Sequence, residues 1–205
     1  TYAGLMGVSG DGSIAPVLAQ EYEISDDGRV YTFTLKQNIT FSDGTPLTAN
    51  DVAFTVHKVQ NPAIKSPAYA SWTGVSVEAV DARTIRFTLA KPYAPFLELT
   101  TLGILPERHW KDVTDEQFAF SNLQTAPIGA GPFMVHSLTK DKDNLIKNIA
   151  LSYNPRYALG RPYLDSIRFQ FFARTEDLAT AFKSGSVESA YDVVEKHTLT
   201  APYAR

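Results

Sequence analysis

Residues 39–56 read ITFSDGTPLTANDVAFTV. A short apolar run, Ile39-Thr40-Phe41, meets an Asp43-Gly44 turn. Pro46 stops any continued ladder, because proline has no N–H to donate. Thr48 is a good N-cap. Asp51, three residues on, resembles the acidic half of a capping box and favours the positive end of a helix. Val52, Val56 and Val59 then lie near one face at helical spacing. The helix is expected to end before Asn61-Pro62, since the residue preceding a proline is driven out of the helical region. The stretch therefore predicts strand, tight turn and capped helix within 18 residues, and none of its side chains has evident chemistry.

The pattern extends in both directions. Asp26-Asp27-Gly28 separates Tyr22-Glu23-Ile24 from Val30–Leu35. Asp-Gly between apolar-rich runs signals a hairpin, because glycine tolerates the positive φ of the turn. Tyr31, Phe33 and Leu35 alternate with Thr32 and Thr34, which predicts one buried face. Gly10-Asp11-Gly12 marks an earlier turn. VSVEAV and TIRFTLA, joined by Asp81-Ala82-Arg83, form another predicted hairpin. Tyr93–Leu102 is mixed and expected to be helical, with a short helix at LPERHW and a further turn or helix at TDEQFAF. Residues 133–154 read as a hairpin turning at Lys140–Asn144. SIRFQFFA alternates as a strand. Thr175 is expected to cap a helix running to about Ser184, with Gly185 as its C-terminal stop. Val187–Val194 reads as a final strand. Irregular alternation of strands and helices with several hairpins predicts an α+β fold with a mixed sheet, not a regular βαβ series.

The chain has 205 residues, a formal net charge of −3 and no cysteine. Its length suits one large domain or a domain with an insert. Mild acidity argues against nucleic acid, which requires a basic surface to neutralise phosphates. No apolar run is long enough to span a membrane. Without cysteine there is no disulfide, thiolate metal site or thiol nucleophile. His57, His109, His136 and His197 show no ligand spacing, and no metal site is expected. IGAGPF at 128–133 lacks the lysine of a P-loop and the helix of a dinucleotide fingerprint. No GxSxG elbow is present. The acidic pairs Asp26/Asp27 and Asp115/Glu116 are explained by turn and helix-start roles. No residue supports an enzyme or a cofactor. The sequence does place Tyr69 and Trp72 in a proline-flanked loop, SPAYASW. Such aromatics serve either as core plugs or as the wall of a ligand cleft.

Several motifs then come together in order. Leu18-Ala19, Ser25-Asp26-Asp27-Gly28, Tyr31–Leu35, Phe41–Pro46, Thr48-Ala49 and Asp51–Phe54 are followed by TIRFTLAKPYAPFL, ILPERHW, PIGAGPF, YNPRYALGRPYLDSI and LATAFKSGSVESAYDV. This series resembles the extracellular solute-binding proteins of family 5, the peptide- and nickel-binding subunits of ABC importers. Tyr22, where a tryptophan is usual, and Lys36 are departures.

The resemblance implies the type II periplasmic-binding-protein architecture, with two lobes closing on a ligand. By that analogy the chain is most of lobe one. Residues 1–45 and 125–205 would form the lobe core, residues 46–124 an inserted subdomain, and lobe two would be absent. The family is about twice this length, so the chain reads as a fragment. The resemblance also implies a non-enzymatic importer subunit, periplasmic or extracellular, with a lipid anchor as one form of the full-length protein, that captures a peptide or similar solute for an ABC permease. It implies an aromatic ligand contact in the SPAYASW loop, with Tyr69 first and Trp72 second. Nickel, haem or a sugar or opine are alternative ligands, and a sensor-type peptide binder is an alternative role.

Overall fold

The computed structural model describes residues 1–191. Fifteen regular elements follow in chain order: β1 (Met6–Val8), β2 (Ile14–Pro16), β3 (Ala19–Ile24), β4 (Val30–Leu35), α1 (Ala49–Val59), α2 (Tyr69–Trp72), β5 (Val75–Ala79), β6 (Thr84–Leu89), α3 (Phe96–Leu99), α4 (Glu107–Trp110), α5 (Asp115–Phe118), β7 (Phe133–Lys140), β8 (Ile146–Tyr153), β9 (Ser166–Gln170) and α6 (Thr175–Lys183). They form two compact units. The first holds residues 1–135 and 152–166, the second, among the described residues, 136–151 and 167–191.

The first unit is built on a four-stranded sheet in the order β3-β4-β6-β5, antiparallel throughout. Its strands come from both sides of residue 46, so the segments 1–45 and 46–124 share one ladder. In β4, Tyr31, Phe33 and Leu35 are buried and the residues between them are partly exposed, the alternation that the sequence predicts. Ile85, Phe87 and Leu89 of β6 are buried in the same way. Rings carry much of this core. Phe87 lies 5.8 Å from Phe33, 5.8 Å from Trp72 and 5.4 Å from Phe96, centroid to centroid, and Tyr31 packs on Phe96 at 4.6 Å. Tilted and edge-on pairs at such distances add attraction beyond the area they bury. A separate two-stranded sheet pairs β1 with β2.

The predicted hairpins at 26–28 and 81–83 both form. In the second, the Asp81 carboxylate accepts from the N–H groups of Arg83 and Thr84 and shapes the turn. Ile39-Thr40-Phe41, expected as a strand, makes only an isolated bridge between Thr40 and Pro46. Proline removes the donor that a longer ladder would need. The helix expected over Tyr93–Leu102 shrinks to the single turn of α3. Pro95 stands at its start. Beyond it the hydroxyls of Thr100 and Thr101 donate to the carbonyls of Leu97 and Glu98, competing with helix continuation.

In the second unit, the expected turn after Lys140 is held by the Asp141 carboxylate, which accepts from the N–H groups of Asp143 and Leu145. Strands β7, β8 and β9 make a three-stranded sheet in that order. Helix α6 starts one residue earlier than expected. Arg174 has the extended N-cap conformation, Thr175 is the first helical residue, and the Arg174 guanidinium grips the Asp177 carboxylate. Of the expected final strand Val187–Val194, residues 187–191 form no strand, and 192–194 lie outside the described residues, as does His197.

Candidate functional site

The stretch 39–56 acts as a fastening. Thr48 is the N-cap of α1, as expected. One oxygen of the Asp51 carboxylate accepts from the Thr48 N–H at 2.8 Å and the Thr48 hydroxyl at 3.0 Å. The other oxygen accepts from the Glu107 N–H at 2.9 Å. Thr55, one turn further, donates to the Asp51 carbonyl and accepts from the Leu105 N–H. Helix α1 therefore holds the chain entering α4. At the turn itself, Asp43 accepts from the Thr45 N–H and hydroxyl and pairs with Nε2 of His109 on α4 at 2.7 Å. Burial pushes the Asp43 carboxyl up, but the hydrogen bonds from Thr45 and then His109 outweigh it and leave it below the ordinary aspartate value. This accounts for a segment that is dense in turn and cap residues and poor in chemistry.

The far end of α1 positions the aromatic loop. Gln60 donates its side-chain amide to the carbonyls of Trp72 at 2.8 Å and Val75 at 2.6 Å. Asn61 caps the turn after α1 by accepting from the Ala63 N–H, and its amide donates to Asp115 at 2.6 Å. Lys58 pairs with the same carboxylate at 3.0 Å. Helix α2 is thus tied at its C-terminal end to the residue that follows α1, and the same end of α1 holds the start of α5 through Asp115. The short helix places the two aromatics of SPAYASW differently. Trp72 is 2% exposed and packs between Phe87 and Phe96. Tyr69 is 38% exposed and opens α2 at the surface. The two rings are three residues apart on the same short helix, one serving the core and one facing outward.

A second feature of the first unit is the close fit of its N-terminal segment. Residues 1–4 run against Gly103, Gly129 and Gly131, with the Gly131 N–H donating to Thr1 at 2.7 Å and the Ile104 N–H to Ala3 at 2.9 Å. A Cβ at Gly103 would come 2.6 Å from that of Tyr2, and one at Gly131 within 2.6 Å of the Thr1 backbone. The glycines of IGAGPF therefore admit a neighbouring strand of backbone. They do not cradle a phosphate.

Among the described residues no group of three or more His, Asp or Glu side chains is placed to hold a metal ion. No helix among them is long and apolar enough to cross a membrane. Sequence reasoning missed Gln60, whose clamp joins residues 12 and 15 positions apart, and the Asp43–His109 pair, which spans 66. Neither has a local signal.

Residues 13–200 match the family model described as "Bacterial extracellular solute-binding proteins, family 5 Middle". The chain is 28% identical over 207 residues to the glutathione-binding protein GsiB of Escherichia coli K12, covering 97% of this chain and 38% of that one. In structure it resembles NikZ from Campylobacter jejuni, solved in complex with Ni(L-His), with a TM-score of 0.79 and 26% identity over 91% of this chain and 36% of the other. It also resembles the oligopeptide-binding protein AppA from Bacillus subtilis, solved with a nonapeptide, with a TM-score of 0.78 and 25% identity over 91% and 37%. The chain spans little more than a third of the length of these relatives. Its α+β architecture is that of the type II periplasmic binding proteins among them.

Proposed function

Because this chain belongs to the bacterial extracellular solute-binding proteins of family 5, we propose that it is part of the substrate-binding component of an ABC importer that captures peptides or similar small solutes and delivers them to a permease. The family match over residues 13–200 carries this reading. The likeness to a glutathione-binding and an oligopeptide-binding protein points to peptides. In such a protein, affinity comes from enclosure between two lobes, and hinge closure presents a distinct shape to the membrane subunits. No bond of the solute is made or broken. The protein works in the periplasm or outside the cell, and a lipid anchor on the full-length protein fits that placement.

In this reading residues 1–45 and 125–205 are the core of the first lobe and 46–124 its inserted subdomain, stitched to the core by the β4–β6 ladder. Tyr69 is the ligand contact. Its exposed ring offers an apolar face and a hydroxyl, on a helix held by Gln60 and by the burial of Trp72. Trp72 contributes as the anchor of that helix. The likeness to NikZ with Ni(L-His) favours one second reading, a nickel complex as the solute.

A thermal-shift screen of the full-length protein separates the two. The panel holds di- to hexapeptides and nickel with and without histidine. A ligand at 100 times its dissociation constant stabilises by about 2.7 kcal/mol. The proposal expects this shift from peptides. A shift from nickel–histidine alone transfers the assignment to the second reading.

A further inference from the structure

Beside α2 the surface of the first unit carries a hollow of about 410 Å³. It lies between the end of α2, the adjoining ends of β5 and β6, and α3. Tyr69 does not line it. We infer that this hollow is a second binding site, separate from the Tyr69 contact, and that it takes a small amphipathic carboxylate: an apolar body with one anionic head.

Its floor is apolar. Leu89 and Phe96 are buried beneath it, and Leu99 closes one side. The space above them stays open because the residues there are small. Gly74 has φ +79°, a conformation that favours glycine, and a Cβ on it would meet nothing within 4 Å. Ala90 follows Leu89 at the mouth. The volume falls within the ~300–1,000 Å³ typical of small-molecule sites.

Charge decides the occupant. Lys91 lines the hollow, and no acidic side chain does. Among the described residues Lys91 forms no ion pair; the six pairs present use other cations. Ser71 adds a hydroxyl. Lys91 is itself exposed, so over an uncharged apolar molecule its ammonium stays hydrated and adds nothing, whereas an anionic head gains the modest attraction of an exposed ion pair. A dianion would find one cation for two charges. A monocarboxylate with an aliphatic or aryl body satisfies both the floor and the rim.

Octanoate is the probe, with 1-octanol as its uncharged control, titrated into the full-length protein and followed by saturation-transfer NMR and calorimetry. Octanoate should bind. Lys91→Gln should weaken octanoate by about three- to fivefold, the range of an exposed ion pair, and leave octanol unchanged. Ala90→Trp, at an exposed position, should fill the hollow and abolish both. Neither variant should alter the thermal shift given by a peptide, so a protein that fails to bind peptides leaves this assignment standing. Absence of octanoate binding, binding that survives Ala90→Trp, an equal effect of Lys91→Gln on octanol, or displacement of octanoate by a peptide would each overturn it.

Discussion

Asp51 is the residue on which the first unit's connectivity turns. One carboxylate oxygen closes the start of its own helix, and the other holds the Glu107 N–H at a sequence distance of 56. The first role is legible in the sequence, because Thr48 and Asp51 stand at the spacing that a helix start requires. The second is not. A backbone donor so far along the chain leaves no mark on the residues around position 51. The same holds for Asp43. Its Asp-Gly turn is readable locally, whereas its pairing with His109 depends on where α4 comes to rest. Asp43 carries a pH prediction. Its carboxyl lies below the ordinary value in the folded chain, so the charged form is favoured by folding. That contribution is complete above the unfolded value of about 3.9. It is lost as pH falls through the folded value. Arg156, whose guanidinium lies by Gly44 and donates to the Ser42 carbonyl, adds positive charge on the same side. Urea midpoints measured from pH 7 to pH 3 should fall less steeply toward acid in Asp43→Asn than in the parent sequence. Parallel curves would show that the turn carboxylate contributes nothing to acid sensitivity.

Elements read well where a turn decides them and poorly where packing does. The β3–β4 and β5–β6 hairpins form because Asp27 and Asp81 fold short turns from their own neighbours. That β4 pairs with β6 to join the two hairpins is set by the apolar faces meeting in the core, and the sequence offers no local sign of it. Helix α3 is shorter than the expected Tyr93–Leu102 because threonine hydroxyls take the carbonyls that would have continued it. The sheet and the candidate site meet at Phe87, which touches Phe33 in the sheet, Phe96 of α3 and Trp72 of α2. Phe87→Ala should destabilise the protein by about 3–5 kcal/mol, measured by urea unfolding. It should also weaken solute binding beyond any loss of folded fraction, because the core anchor of α2 is removed. A cost below about 1 kcal/mol would mean that the aromatic cluster closes over the gap and does not depend on this ring.

At the scale of the whole molecule, the fold class was legible because the ordered motifs of the family run through most of the chain, and the matched model covers residues 13–200. The site was legible only in part. SPAYASW announces aromatics in a loop, but which ring faces outward depends on how one turn of helix settles on Phe87 and Phe96. Tyr69 at the surface and Trp72 in the core follow from that packing. We propose that the full-length protein captures a peptide, with Tyr69 as its contact in this part of the chain. Calorimetric titration of the full-length protein with a peptide selected by thermal shift, repeated on Tyr69→Ala, decides between these outcomes. One peptide should bind per protein, with an affinity lowered about tenfold or more in the variant, as for an aromatic contact worth over 1 kcal/mol. Peptide binding that is unchanged by Tyr69→Ala would contradict the assigned contact, and no peptide binding at all would contradict the function.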